Sequence, residues 1–362
     1  MVKNDKIYVA GHRGLVGSAI VNNLKAKGYN NIVTRTHKEL DLTDTNGVSL
    51  FFIEEKPEYV FLAAAKVGGI VANNIYRGEF IYENLMIQNN IIHQSYLNNV
   101  KKLLFLGSTC IYPRNCPQPM KEEYLLTDVL EYTNEPYAIA KIAGIKTCES
   151  YNLQYGTNFI SVMPTNLYGP NDNFDLEKSH VLPALIRKIH LGNALQENDW
   201  STIQTDLNKL PIEGINGNHP KETILKKLYE YGISISENNV NVEIWGSGKP
   251  MREFLWSEDM ADACVFIMKN RDFSECYKSA DNEIRNTHIN IGSGKDISIA
   301  DLALVVKKNI GFKGELVYNT SKPDGTLKKL TDVSKLNALG WKHSIELGDG
   351  ISRLYQWYLK NI

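Results

Sequence analysis

The 362-residue sequence has no excess of either charge: 40 lysines and arginines face 41 aspartates and glutamates, a net charge of −1. That balance excludes the strongly basic surface of a nucleic-acid binder and gives no pull toward an anionic membrane. Cysteine is scarce. The five present (Cys110, Cys116, Cys148, Cys264, Cys276) are odd in number and never spaced as CxxC. Neither a disulfide framework nor a cysteine zinc site fits that spacing, no metal is expected, and a reducing cytoplasm suits it. No apolar run approaches the roughly 20 residues needed to span a bilayer. Residues 1–6 lead directly into a strand-like run, so no secretory leader is expected and the chain reads as cytoplasmic. No internal repeat is found. What is present is a globular composition, 43% hydrophobic and 22% charged, in a chain long enough to bury several hydrophobic layers without disulfides or metals.

The first 165 residues alternate short β-branched runs with longer helical patterns, the mark of βαβ units and a parallel sheet. Residues 6–10 read as a first buried strand, and 14–27 as a helix with Val16, Ile20, Val21 and Leu24 on one face. Further strands are expected at 31–34, 59–64, 102–107 and 158–163, with helices at 80–98 and 137–155. Right-handed crossovers then place the loops that follow the strands along one sheet edge, where ligands bind. After Pro170 the alternation breaks down. Residues 193–241 are polar and rich in Asn, Lys and Glu, with one convincing short helix at 221–231. The expectation is a Rossmann-type doubly wound α/β domain over 1–170, with contributions from about 242–262 and 285–295. A smaller mixed α/β substrate-binding lobe is expected over 171–362, including an inserted segment at about 191–240.

Gly11-His12-Arg13-Gly14-Leu15-Val16-Gly17 lies between the first strand and the first helix. Glycines three apart let the backbone turn tightly against a pyrophosphate while the helix N-terminus supplies N–H groups and a positive dipole. The spacing is GxxGxxG rather than GxGxxG, and three glycines alone often mark only a turn; the strand-before, helix-after context supplies the specificity. No acidic residue ends the second strand, where an NAD enzyme carries one for the ribose hydroxyl. Thr34-Arg35-Thr36-His37 stands there instead. Arg35 with Arg13 is suited to clamp a 2′-phosphate, which favours NADPH, although an arginine after a strand is commonly just solvated.

Ser108 follows the fourth expected strand, and Tyr137 and Lys141 stand four apart, on one face of a helix. The Lys141 ammonium is expected to favour phenolate and lower the pKa of Tyr137, letting it exchange a proton with a carbonyl or alcohol oxygen. Ser108 would hydrogen-bond the same oxygen. A YxxxK pair by itself arises by chance; its coupling to the serine and the upstream turn makes it informative.

With these residues the sequence resembles the extended short-chain dehydrogenase/reductase superfamily, and within it the GDP-L-fucose synthase family, the GDP-4-keto-6-deoxymannose 3,5-epimerases/4-reductases. The resemblance rests on residues 11–14 (GHRG), 63–70 (AAAKVGGI), 107–113 (GSTCIYP), 134–141 (NEPYAIAK), 163–170 (MPTNLYGP), 179–181 (SHV), 245–248 (WGSG) and 252–255 (REFL). It covers nearly the whole chain except about 191–240. It implies NADPH as cofactor, a GDP-linked keto sugar as substrate, and a homodimer formed through helices near 84–98 and 137–155. It assigns Cys110 and His180 to epimerisation beside the C4 ketone, next to Ser108, Tyr137 and Lys141. Inert packing for the cysteine and a hydrogen-bonded structural role for the histidine are the plain readings of either residue taken alone. Cys110, two beyond Ser108, falls on the same side if the strand continues. Cofactor contacts are implied for Gly11, Arg13, Gly14, Leu15, Val16, Gly17, Arg35, Asp41, Leu42, Ala63, Ala64, Ala65, Lys141, Pro164, Asn166, Leu167 and His180. Substrate contacts are implied for Ser108, Cys110, Asn166, Val181, Arg187, Trp245, Arg252 and Lys322.

Two departures stand out. His37 occupies a position where relatives often carry a second arginine, and it is only partly charged near neutrality. Residues 193–241 replace a much shorter connection. Their plain reading is a tolerated surface insertion; the sharper one is a lid or pocket wall adapted to another sugar, such as a heptose. The main rival function is therefore a C4-reductase without epimerase activity acting on a related GDP-sugar such as a 6-deoxy-heptose. A 4,6-dehydratase would carry an acidic pair where Thr109-Cys110 stands, and a non-catalytic NADP(H)-binding sensor would not need Ser108, Tyr137 and Lys141 together.

Overall fold

The computed structural model describes residues 1–237, 239–277, 282–322 and 324–362. The chain opens with β1 (Ile7–Ala10), α1 (Leu15–Ala26), β2 (Ile32–Val33), α2 (Thr45–Glu55), β3 (Tyr59–Leu62), α3 (Ile70–Ile75), α4 (Arg77–Leu97), β4 (Lys102–Leu106), α5 (Glu135–Tyr155), β5 (Phe159–Pro164) and β6 (Asn166–Tyr168). It continues with α6 (Val181–Gln196), α7 (Trp200–Lys209), α8 (Lys221–Glu230), β7 (Ile233–Ser236), β8 (Asn239–Trp245), β9 (Met251–Trp256) and α9 (Ser257–Asn270). It closes with β10 (Ile289–Ile291), β11 (Asp296–Ser298), α10 (Ile299–Ile310), β12 (Glu315–Asn319), β13 (Lys328–Lys329), α11 (Ser334–Ala338) and α12 (Leu347–Asn361).

Two compact units result: Met1–Asn171 with Glu253–Lys295 and Leu330–Ile345, and Asp172–Arg252 with Asp296–Lys329 and Glu346–Ile362. The first unit holds a six-stranded sheet in the order β10-β5-β4-β3-β1-β2, with parallel pairing throughout. Helices cover both faces, which is why its inner strands are continuously apolar rather than alternating. Ile7 and Val9 pack on the α1/α9 side with Ile20, Leu24 and Met260. Tyr8 and Ala10 point to the α2/α4/α5 side with Phe52, Ile91 and Ile145, as the two-residue strand period requires. Burying each such large side chain stabilises by about 1.5–3 kcal/mol. The sheet order reverses direction between β1 and β3, so the loops leaving those strands diverge and open the crevice in which such sheets bind ligands. Helix α2 was not expected from the sequence. Its buried residues Val48, Phe51 and Phe52 stand at i, i+3 and i+4, on one helical face, and the Asp44 side chain caps it by accepting from the Asn46 N–H at 3.0 Å.

In the second unit β8 pairs in parallel with β12 and antiparallel with β7. Residues 242–252, expected beside the dinucleotide domain, lie here because β8 is the centre of this sheet. The polar stretch from 193 is not a bare surface insertion. It folds into α7, α8 and β7, and buries Ile203, Leu207, Ile212, Ile224, Leu228 and Ile233. No helix among the described residues is long and apolar enough to cross a membrane.

Candidate active site

The glycine turn is built as the sequence suggests. Gly11 has φ +84, and a Cβ there would stand 2.7 Å from the Ala64 nitrogen in the loop after β3. A Cβ on Gly17 would stand 2.1 Å from the Gly11 carbonyl oxygen. Only hydrogen fits at either place, so helix α1 meets the turn closely. Gly14 is the helix N-cap, no side chain caps it, and no acid lies in the first turn. The leading N–H groups of α1 are thus left for an anion. Leu15 and Val16 are half-buried, as are Ala63, Ala64 and Ala65, and the Ala63 N–H donates to the Ala10 carbonyl at 3.1 Å. These residues fit a dinucleotide pyrophosphate.

The adenosine end is more constrained than the sequence shows. Arg13 is exposed, but Arg35 already has partners: it pairs with Glu55, donates to the Thr34 carbonyl at 2.9 Å, and lies 5.4 Å from the Phe51 ring centre. The Glu39 carboxylate, within electrostatic reach of both arginines, is held low chiefly by hydrogen bonds from Thr36. His37 is exposed, with Asp41 at 3.9 Å. Asp41 accepts from the Thr43 N–H at 2.9 Å and hydroxyl at 2.8 Å, which lowers its pKa. The Leu42 carbonyl is held by Asn90 at 2.9 Å. Nothing in the spacing pointed to Glu55, because its contact with Arg35 joins a helix end to a strand end.

Ser108 lies two residues past the end of β4. The strand does not continue, contrary to the expectation for Cys110. Ser108 instead caps a 3₁₀ turn over Thr109–Ile111, and its Oγ accepts from the Cys110 N–H at 3.4 Å. The turn, not strand alternation, sets the buried Cys110 beside the serine. Lys141, in the second turn of α5, is fully inside and donates from Nζ to the Leu106 carbonyl at 2.9 Å. That bond ties α5 to the end of β4 and leaves Nζ 5.8 Å from the centre of the Tyr137 ring. Burial lowers the pKa of Lys141 to about 8, while nearby Cys110 raises it. Tyr137 departs from the sequence expectation: its pKa is raised above the usual 10.0, first by burial and then by Cys110. In this environment desolvation of a phenolate outweighs the help of an amine whose own charge is disfavoured. Tyr137 is therefore a protonated phenol at neutral pH.

Pro164 ends β5 and is buried; Leu167, in β6, is half-buried and packs against the α1/α9 core. Asn166 begins β6 and donates from Nδ2 to the Glu253 carbonyl at 2.8 Å. The buried Glu253 carboxylate accepts from the Gly294 and Thr331 N–H groups at 2.6 and 2.9 Å. Sequence inspection singled out Asn166 but not this support.

In the second unit His180 is the N-cap of α6, but its side chain makes no capping bond, and desolvation lowers its pKa from 6.5. Val181 follows, half-buried. Trp245 ends β8, 57% exposed, with Lys322 Nζ 5.2 Å from its ring centre. Arg252 donates to the Met251 and Thr326 carbonyls at 2.7 and 2.6 Å. Trp245 and Lys322 pair an aromatic ring with a cation, a combination suited to a base and a phosphate.

Arg187 does not join them. It is fully buried and held by Asp206 Oδ1 from Nε at 3.0 Å and Nη2 at 2.8 Å, so the expected substrate contact is replaced by an internal ion pair. Next to it Lys188, missed in the sequence, is also buried, donates to the Glu243 carbonyl, and has its pKa lowered to about 8 by burial. Among the described residues no cluster of His, Cys, Asp and Glu could hold a metal.

The NAD dependent epimerase/dehydratase family matches residues 7–206 and 213–292. The chain is 50% identical to GDP-L-fucose synthase 1 of Arabidopsis thaliana over 99% of its length and 95% of that protein. Among solved structures it is similar to a GDP-6-OMe-4-keto-L-xylo-heptose reductase from Campylobacter jejuni, with 51% identity, a TM-score of 0.92, and coverage of 100% of this chain and 99% of that one. It is also similar to a GDP-mannoheptose C4 reductase from Campylobacter jejuni with NADP bound: 51% identity, a TM-score of 0.86, and 99% of each chain covered.

Proposed function

We propose, from the premise that this chain belongs to the GDP-L-fucose synthase family within the NAD dependent epimerase/dehydratase group, that it reduces the C4 ketone of a GDP-linked 4-keto-6-deoxy sugar with NADPH after inverting C3 and C5. The observation that carries this reading is the cluster of Ser108, Cys110, Tyr137 and the uncompensated Lys141 at the end of β4, in the same unit as a turn shaped for a pyrophosphate. NADPH, when bound, supplies the hydride for C4. The chain's own residues do the rest. Ser108 donates to the ketone oxygen, and the protonated Tyr137 gives its proton to that oxygen as negative charge develops. The Lys141 ammonium then stabilises the phenolate left behind. In the preceding inversion one of Cys110 and His180 removes the proton beside the ketone and the other returns one to the opposite face. Trp245, Arg252 and Lys322 hold the nucleotide diphosphate.

The second reading, a GDP-heptose C4 reductase without epimerisation, is favoured by the heptose reductases at 51% identity over essentially full length. NADPH oxidation with GDP-4-keto-6-deoxymannose in D₂O, followed by NMR of the product, separates the two. Deuterium at C3 and C5 supports the bifunctional enzyme. Oxidation without label, or only with heptose substrates, leaves the reductase.

A homodimer through α4 and α5 is part of the proposal. Those helices expose Tyr82, Leu97, Leu153 and Tyr155, with Tyr96 stacked on Tyr155 at 4.3 Å and His93 bonded to the Tyr151 hydroxyl at 2.9 Å. Sedimentation of the chain tests it. A cytoplasmic location suits five cysteines that form no disulfide.

A further inference from the structure

Arg187, a buried arginine that the reaction does not use, lies on the helix that His180 caps. Arg187 is seven residues beyond the N-cap, two helical turns along nearly the same face and about 10 Å away by helical rise. Besides the Asp206 pair, it donates from Nη1 to the Phe174 carbonyl at 3.2 Å and from Nη2 to the Leu210 carbonyl. Asp206 also accepts from the Tyr358 hydroxyl in α12. One guanidinium thus joins α6, the far end of α7 and the segment that runs into His180.

That segment is short and closed. Phe174 is buried, 4.8 Å from the Tyr358 ring centre and 6.3 Å from that of Trp357. The Asp175 carbonyl accepts from Lys178 and Ser179 N–H groups at 3.2 and 2.8 Å, and the His180 carbonyl accepts the Ala184 N–H at 3.1 Å. Six residues, 175–180, connect the anchored Phe174 to the helix that begins after His180. Asp206 and Leu210, which complete the anchor, come from the polar stretch that the sequence presents as an insertion.

We infer that the Arg187–Asp206 pair is a positioning clamp: through the Phe174 carbonyl, helix α7 fixes the 174–180 turn and thereby the direction in which the His180 imidazole points. The clamp's effect on turnover rests on the reading of His180 as an epimerising group, whereas its effect on the imidazole itself does not. Charge pairing without exposure gives the pair no contact with substrate, so its effect on turnover runs through His180.

The test uses the full chain with Asp206→Asn, which keeps shape but removes the counter-charge. Histidine-selective NMR, with His180 assigned from a His180→Asn spectrum, should show its titration moving toward 6.5 in the variant, while the fully buried His288 stays in place. NADPH binding, read by fluorescence, should be unchanged. Deuterium entry at C3 should fall about tenfold or more relative to reduction of a pre-epimerised GDP-4-keto sugar, since small misplacements of a reacting group cost rates of that order. A folded Asp206→Asn chain with an unmoved His180 titration overturns the clamp whatever the substrate. A moved titration in a chain whose wild type takes up no deuterium keeps the clamp and removes the epimerase reading. If Asp206→Asn does not fold, Arg187→Met combined with Asp206→Leu replaces the pair by apolar volume while deleting the Phe174 anchor. The same NMR readout then decides.

Discussion

Arg187 and Lys141, a buried cation from each unit, are treated in opposite ways. Arg187 in α6 is met by a carboxylate, two carbonyls and, through Asp206, a tyrosine hydroxyl. Lys141 in α5 is met by one carbonyl, and among the described residues no carboxylate pairs with it. A charge taken from water needs a counter-charge and full hydrogen bonding to be stable. Arg187 has both and holds the fold. Lys141 has a single hydrogen bond and only Cys110 to favour its charge, so burial brings its pKa down to about 8, a cost maintained beside Tyr137, where the proposed proton transfer takes place.

The largest effect is expected at Tyr137, whose ring centre lies 5.8 Å from Lys141 Nζ. Tyr137→Phe should lower ketone reduction by roughly 10²–10⁴-fold, the range for loss of a general acid, with NADPH affinity by fluorescence intact. A variant that still turns over near the wild-type rate would remove the assignment. Next in size is Arg187→Ala, which strands the Asp206 carboxylate and should destabilise the chain by about 3–5 kcal/mol in urea unfolding. Lys141→Met should show the reverse pattern, with activity lost and no loss of stability; an early-melting Lys141→Met would erase the contrast.

The pH dependence sharpens the same point. Lys141 is charged below its folded pKa of about 8 and neutral above it, so kcat for reduction should fall as pH rises through 8, by up to about tenfold per unit. The folded pKa lies below the unfolded value of 10.5, so between these values the unfolded chain holds a proton the folded one lacks. This group's contribution to stability therefore rises with pH across that window, and Lys141→Met should lack that rise. Smallest, Arg35→Ser should weaken NADPH relative to NADH by roughly 10-fold or more, the worth of a charge-assisted hydrogen bond. Fluorescence titration with both cofactors checks it. Equal losses for the two cofactors would mean that Arg35 serves Glu55 rather than a phosphate.

Local patterns carried the reading of the first unit a long way. β1, α1, β3, β4, α5 and β5 lie where period and glycine punctuation put them, within a few residues at their ends. Helix α7 was invisible because Trp200–Lys209 carries polar residues at most positions, and its buried apolar residues are just Ile203 and Leu207, one turn apart. The Arg187 contact lies beyond the sequence pattern for a related reason. A basic residue near a candidate site resembles a ligand until its partner is known, and Asp206 is 19 residues away in a segment with no readable pattern.

The sequence by itself determined the glycine turn and the alternation that makes a parallel sheet. Each depends on neighbours within a few residues, where steric freedom and helical spacing are written directly. Only the tertiary structure decided the protonation of Tyr137 and Lys141, the pairing of Arg35 with Glu55, and the conversion of Arg187 from ligand to anchor. Desolvation and counter-charge come from atoms distant in the chain, so those properties exist only once it has folded.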